Sequence, residues 1–189
     1  FGRWGINYVY GTGAVVPGLI AAGIHPTHPA IRRAVAWLEH HQNADGGWGE
    51  DPRSYDDPGW IGRGTSTASQ TAWALLALHA AGERSRALAR GVAWLLASQR
   101  PDGSWDEPQY TGTGFPSDYY INYHLYRLTF PIMALGRCLA ADADADDAVD
   151  TAASAGVAVA LPLRGRSSDG DPVATRPARD AVGEVERAG

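Results

Sequence analysis

A chain of 189 residues with a formal net charge of −5 is long enough for one domain with a buried core. The charge argues against a nucleic-acid partner, because a phosphate backbone needs a basic patch. One cysteine, Cys138, excludes an internal disulfide and a cysteine-based metal cluster, and no apolar run reaches the ~18–20 residues that cross a bilayer. Met133 is the only methionine, so the sequence reads as a fragment of a longer one. Every Trp, Tyr and Phe lies at or before Phe130.

In chain order, residues 1–13 (FGRWGINYVYGTG) mix aromatics with glycines and read as a structured loop. It enters an apolar helix over residues 14–22, with Pro17 in its first turn and Gly23 as its C-cap. Residues 29–41 read as a second helix, with Ile31, Val35 and Leu38 on one face. A polar turn over residues 43–49 leads into a long loop, residues 50–64, of a length that often carries function. Residues 65–81, nearly all apolar from Ala72 onward, predict a buried helix stopped by Gly82. Residues 86–98 predict its amphipathic partner. This alternation implies inner helices that are buried and outer helices that are half exposed. Residues 109–117 read as a glycine-rich loop. Residues 118–139 read as a last helix, capped by Ser117 or Asp118 and kinked by Pro131. Beyond Ala140 the composition turns to Ala, Asp, Gly, Pro and Arg, so residues 141–189 are expected to form a low-complexity, disordered tail.

The stretch QNADGGWGE (residues 42–50) returns as QRPDGSWDE (residues 99–107), 57 residues later, and AVAWL (34–38) returns as GVAWL (91–95) at the same offset. A fixed long period marks a repeat architecture. Each Gln, Gln42 or Gln99, is expected to donate to the carbonyls left over at one helix end and accept from the amides at the next helix start. Trp48 and Trp105 are expected to cover that amide and exclude water. On this reading all four residues are structural.

Tyr119, Tyr123 and Tyr126 stand at i, i+4 and i+7, one stripe of the predicted last helix, with Phe115 just before it. Spacing alone leaves two readings open, ordinary core packing or the wall of a cavity. His25 and His28 lie beside prolines in a loop, and His40 and His41 close a helix, where positive charge suits the dipole. Asp51, Asp56 and Asp57 are not set as a carboxylate pair. Arg53, Tyr55 and Asp57 read as pins for the long loop.

Four stretches together resemble the squalene–hopene cyclase family of triterpene cyclases. They are GRWGINYVYGTG (2–13), QNADGGWGEDPRSYDDP (42–58), GTSTASQTAWALLAL (64–78) and QRPDGSWDEPQYTGTGFPSDYYINYHLYRLTFPIMALGR (99–137). The resemblance covers most of residues 1–139 and not the tail. It implies an all-α fold, an α/α barrel (toroid) of helical-hairpin repeats, of which residues 1–140 supply an incomplete C-terminal part. It implies polycyclisation of squalene to hopene or hopanol, with no metal and no organic cofactor. By motif match, Trp4, Phe115, Tyr119, Tyr123 and Tyr126 correspond to cavity aromatics, and Tyr10 to a tyrosine near the proton-donating acid. Where hopene-forming members carry Phe, this chain carries Tyr119. The family's Asp-x-Asp-Asp acid motif lies upstream of anything present here. The literal match Asp144-Ala145-Asp146-Asp147 falls in the tail, in an alternating run without the apolar surroundings that raise a carboxyl pKa. The resemblance further implies monotopic membrane association of the full-length protein, on the cytoplasmic face, and allows a homodimer.

Alternatives are a cyclase of another polyprene and a non-catalytic helical-repeat module, which would want a polar concave face. A prenyltransferase subunit would need a zinc-binding Asp, Cys and His set that the sequence does not show.

Overall fold

The computed structural model describes the backbone of residues 2–154, with side chains as far as residue 141. Its helices alternate between two layers. The inner layer is α1 (Asn7–Ala21), α3 (Ala68–Ala80) and α5 (Tyr126–Ser154), with α3 packed against both of the others. The outer layer is α2 (Pro29–His40) and α4 (Arg86–Ser98). Ala68 to Leu78 are buried without exception, so α3 is apolar because it is covered on every side. α2 buries one stripe, Ile31, Val35 and Leu38, and α4 buries Gly91 and Leu95. The expected fold class holds: these are hairpins of an incomplete α/α barrel.

Two inner helices end where glycine predicts. Gly23 and Gly82 adopt φ of +88° and +75°, which other residues rarely adopt. At the first, Gly23 N–H donates to Ile20 O (2.9 Å) and Ile24 N–H to Leu19 O (3.0 Å). At the second, Gly82 donates to His79 O (2.9 Å) and Glu83 to Leu78 O (3.0 Å). Both helices thereby satisfy carbonyls that would otherwise end unpaired.

Three departures from the sequence reading have physical causes. First, α1 starts at Asn7, so most of the expected aromatic–glycine loop is helical and Pro17 lies inside the helix. Its N-cap residue, Ile6, supplies no side-chain bond. The first-turn amides are capped from far away: Asn7 N–H donates to Tyr55 Oη (3.2 Å) and Val9 N–H to Glu50 Oε2 (2.7 Å). Local pattern carries no trace of such caps. Second, residues 112–121 form a small antiparallel hairpin, β1 (Gly112–Phe115) with β2 (Tyr119–Ile121), and the last helix starts only at Tyr126. Ser117 is therefore a turn residue with φ +68°, not a helix cap, and Pro131 falls in the second turn of α5. The Tyr-rich run matched a helical spacing, but aromatic residues also favour strands. A partner strand was within reach, because Gly5 bridges Gly112 and Ile6 N–H donates to Thr111 O (2.9 Å). Third, α5 runs past Ala140 to Ser154, into the stretch read as tail. That run is rich in alanine, the best helix former, and free of Gly and Pro. The Asp-x-Asp-Asp match lies in this extension. The remainder of the expected tail, residues 155–189, lies outside the described residues.

The Gln–Trp turns work differently from expectation. Each Trp is fully buried and donates its indole N–H to a carbonyl near the end of the outer helix, Trp48 to Leu38 O (2.8 Å) and Trp105 to Leu95 O (2.9 Å). Gln42 acts as donor only, giving one amide hydrogen to Gly46 O and one to Ala87 O of α4, each at 2.8 Å. The long loop is pinned as read. Arg53 grips Asp51 with Nε and Nη2 (2.8 and 2.9 Å) and lies over the Trp60 ring, and that grip holds the Asp51 carboxyl below its usual range. Asp57 accepts from Gly59 N–H (2.8 Å).

Candidate active site

Three inner helices and the segment between the hairpin and α5, which carries Tyr123, each bring one part of an aromatic assembly. α1 supplies Tyr10, α3 supplies Trp73, and α5 supplies Tyr126 and Phe130. Trp73 is the hub, 2% exposed. Around it, Tyr10 (centroids 4.9 Å apart, 71°), Phe130 (5.5 Å, 75°) and Tyr126 (5.8 Å, 79°) all pack edge to face. Tyr126 meets Phe130 at 5.2 Å and 79°, and Tyr123 at 4.7 Å and 33°. Edge-to-face contact sets the electropositive rim of one ring on the negative face of the next, which fixes ring direction as well as position.

Glycines give the tyrosines room. A methyl group at Gly5 would overlap the Tyr10 ring, one at Gly112 the Tyr123 ring, and one at Gly114 the Tyr119 phenol. Gly13 lets α1 sit directly on the Trp73 backbone, where an added Cβ would stand 2.8 Å from the Trp73 carbonyl oxygen. The glycine–aromatic stretches near residues 2–13 and 112–115 are thus two halves of one packing device.

The structure divides the six expected site residues. Tyr10, Tyr123 and Tyr126 join the set around Trp73. Phe115 and Tyr119 pair with each other across the hairpin, 5.8 Å apart, and stay 59% and 49% exposed. Trp4 is 63% exposed and is held by its backbone, whose carbonyl accepts from Thr113 N–H (3.0 Å). The expected helical stripe does not exist: Tyr119 sits on β2, Tyr123 in the following turn, and only Tyr126 on α5.

Burial pushes the Tyr126 phenol up from its ordinary value, reinforced by the neighbouring phenols of Tyr10 and Tyr123, so it stays protonated and neutral. The Trp73 indole N–H is buried without a hydrogen-bond partner. Such an orphan costs about 1–3 kcal/mol. The rings of Tyr10, Tyr126 and Phe130 pack against the same indole. Chemically the assembly offers quadrupole faces and no strong base.

Sequence reasoning missed Trp73 and Phe130, although the repeat held the clue. They are one 57-residue period apart, the same inner-helix position filled twice by a large aromatic. It also missed the glutamates that end both Gln–Trp motifs. Glu50, 3% exposed, accepts from Val9 N–H (2.7 Å) and Gly62 N–H (3.0 Å), and so holds the start of α1. Glu107, 1% exposed, accepts from Ser69 N–H and Ser69 Oγ (both 2.7 Å) and from Thr111 Oγ1 (3.0 Å), and so holds the start of α3. A carboxylate at a helix N-terminus meets both free amides and the positive end of the dipole. Burial nevertheless raises the Glu50 pKa, against the pull of its hydrogen bonds. Each glutamate steadies the helix that carries a ring of the set, α1 with Tyr10 and α3 with Trp73.

Tyr55 completes the frame. Its phenol donates to Gly2 O (2.9 Å), and burial pushes its pKa up to about 12. Among the described residues no group of three or more His, Cys, Asp and Glu is placed to hold a metal ion. His25 bonds Thr27 Oγ1 (2.8 Å), and His28 Nδ1 caps α2 at Ala30 N–H (3.2 Å).

Residues 1–140 match the family model described as squalene-hopene cyclase C-terminal domain. The chain is 62% identical over 138 residues to a squalene–hopene cyclase of Alicyclobacillus acidocaldarius, an alignment covering 72% of this chain and 22% of that protein. It is 54% identical over 140 residues to a squalene–hopene cyclase of Bradyrhizobium diazoefficiens (72% and 21%). It is 47% identical over 154 residues to a dammaradiene synthase of Dryopteris crassirhizoma (72% and 22%). The chain thus spans about a fifth of the length of the curated relatives it matches. With the hairpin repeats, the buried Trp of each turn and the ring set all in place, the chain belongs to the squalene–hopene cyclase family, matching its C-terminal domain.

Proposed function

We propose that this chain forms part of the cavity wall of a triterpene cyclase that folds squalene into a hopene-type product. The observation that carries the reading is the Tyr10–Trp73–Tyr126–Phe130 set, rings locked edge to face on three different helices with no base among them. In such a reaction a proton added to a terminal alkene leaves a tertiary cation. Each ring closure turns a C=C π bond into a C–C σ bond and hands the charge onward. The cascade ends when a neighbouring carbon loses a proton, restoring an alkene, or when water adds and loses one. The wall must stabilise positive charge without capturing it. Aromatic faces do so, at roughly 0.5–2 kcal/mol each, and fixed orientation makes them preorganised.

In this reading Tyr123 and Tyr126 present neutral phenol rings to the passing charge. Phe115, Tyr119 and Trp4 are exposed here and supply faces nearer the substrate's outer portion, and Tyr10 faces the region of the initiating acid. That acid comes from outside these residues, so the 189-residue chain by itself is expected to leave squalene unchanged. Relatives named for hopene and dammaradiene formation support a squalene-like substrate. No helix among the described residues is long and apolar enough to cross a membrane. We read the whole cyclase as a monotopic protein of the cytoplasmic membrane face, because squalene resides in the bilayer; co-flotation with liposomes tests that.

The test of function is a graft. Residues 1–140 replace the matching segment of the Alicyclobacillus acidocaldarius cyclase, and products from squalene are identified by mass spectrometry. Pentacyclic product from the graft, and partly cyclised products when Phe115 or Tyr126 becomes Ala, are expected. Unchanged product in both variants would overturn the cation-stabilising role.

A further inference from the structure

Two non-glycine residues among those described have positive φ, Asn7 at +46° and Ser117 at +68°. Left-handed backbone is unfavourable for a residue with a side chain and persists where the surroundings hold it. Three consecutive residues of the long loop do the holding at both positions. Ser54 Oγ accepts from Asn7 Nδ2 (2.9 Å), and Tyr55 Oη accepts from Asn7 N–H (3.2 Å). Asp56 Oδ1 accepts from Ser117 Oγ (2.6 Å). Asn7, Ser54, Tyr55 and Ser117 line one cleft of about 150 Å³, shared with Tyr8 and Pro116.

Each of the two strained residues stands beside rings assigned to the wall. Asn7 opens α1, between Trp4 and Tyr10 in the chain. Tyr55 Oη reaches further along the same segment and donates to Gly2 O (2.9 Å), with Gly5 O at 3.3 Å. Ser117 lies in the turn between Phe115 and Tyr119. Pro116 stands second in that turn and a positive φ third, with Asp118 N–H donating to Phe115 O (3.1 Å), the pattern of a type II turn. The third place favours Gly or Asn. Serine gains nothing there from its backbone, and its hydroxyl is what reaches Asp56.

The loop also holds the second strand of the hairpin. The Tyr55 ring stacks on that of Tyr120, 6.3 Å apart at 19°, and Tyr120 Oη donates to Pro52 O (3.4 Å). It is stiff enough to act as a support, because Pro52–Tyr55 is a 3-10 turn that starts on proline and is capped by Asp51.

We propose that Ser54, Tyr55 and Asp56 form one positioning strip, which fixes the Trp4–Tyr10 segment and the Phe115–Tyr119 turn relative to each other and so sets how far cyclisation runs. The inference rests on the cavity-wall reading above. The three residues act through the rings they hold. A ring turned away leaves a cation unsupported, so a neighbouring carbon gives its proton to water early and a partly cyclised alkene is released.

The graft described above, assayed with squalene, tests this through two variants that differ in strain. Asp56→Ala removes the bond to Ser117 and leaves that residue strained. Ser117→Gly removes the same bond and the strain with it. The melting temperature should fall in the first and hold or rise in the second. The share of partly cyclised products should rise in both, at least about threefold, as expected when part of one cation–ring contact is lost. Ser117→Asn tolerates positive φ and carries an amide that can donate to Asp56, so it should bring the product ratio back. Tyr55→Phe keeps the ring stack but loses the grip on Gly2 and Asn7, and should raise the same share from the other side. Products that simply follow the melting temperature, or a Ser117→Gly graft that cyclises like the unchanged one, would overturn the strip. The wall reading survives that result where Phe115→Ala alters the products. If Phe115→Ala changes nothing, the wall reading fails and the strip falls with it.

Discussion

The ring set around Trp73 and the pair Phe115–Tyr119 use the same side chains in opposite settings. Around Trp73, each ring's direction is dictated by another ring, by a glycine or by a helix start clamped by a buried glutamate. At the hairpin, Phe115 touches Tyr119 and is otherwise open, 59% exposed. In the first region the position and direction of every ring are accounted for by folding. In the second they are not, because an exposed aromatic contributes little to stability. The contrast separates rings that hold the site together from rings that await something outside these residues.

The strongest way to break that contrast is truncation on both sides. Trp73→Ala should cost about 3–5 kcal/mol by removing a buried ring. Phe115→Ala should stay within about 0.5 kcal/mol, even though it is the variant expected to alter products. Urea denaturation measures both, and similar losses would erase the distinction. Next in size is Gly112→Ala, which forces a methyl group into the Tyr123 ring and should cost about 1–3 kcal/mol. Most of that loss should vanish in a Tyr123→Ala background, a coupling that a double-mutant cycle reads directly.

Glu50 sharpens the comparison on the inner side. Its folded pKa is raised above the ordinary 4.5, so the folded state keeps this proton to a higher pH than the unfolded chain does. Its contribution to stability is therefore greatest below pH 4.5 and falls as pH rises from there through the raised value. Glu50→Gln should flatten the fall in thermal stability that sets in as pH rises above 4.5. A steeper fall with pH in the variant would contradict the assignment. The smallest effect should come from Tyr119→Phe, within about 0.5 kcal/mol because the ring is half exposed. In the graft the same change should shift the product ratio while leaving the melting temperature in place.

Much of this was legible in the sequence. Pattern placed α2, α3 and α4 within a few residues, because α2 and α4 each carry their own apolar stripe and α3 is an apolar run stopped by Gly82. The repeat placed the Gln–Trp turns. Illegible parts were those set by distant partners. α1 begins at Asn7 because Tyr55 and Glu50 cap it from more than forty residues away. Residues 112–121 form a hairpin because the segment before α1 supplies a bridging neighbour. The tyrosine spacing pointed to a helix, yet Tyr119, Tyr123 and Tyr126 sit on three different kinds of backbone. Three of the six residues named from the resemblance, Tyr10, Tyr123 and Tyr126, lie in the ring set, while its hub, Trp73, looked like one more residue of a buried helix.

The glutamate clamps also set an order of events. Glu50 closes the start of α1 across 41 residues, and Glu107 closes the start of α3 across 38. During synthesis an inner helix therefore leaves the ribosome with its leading amides open. It is finished only when the following turn has been made and folded back. Each repeat is thus latched by the turn that ends it, so its inner helix stays unfinished until that turn has been translated, and a truncation between a helix and its glutamate leaves that unit unlatched.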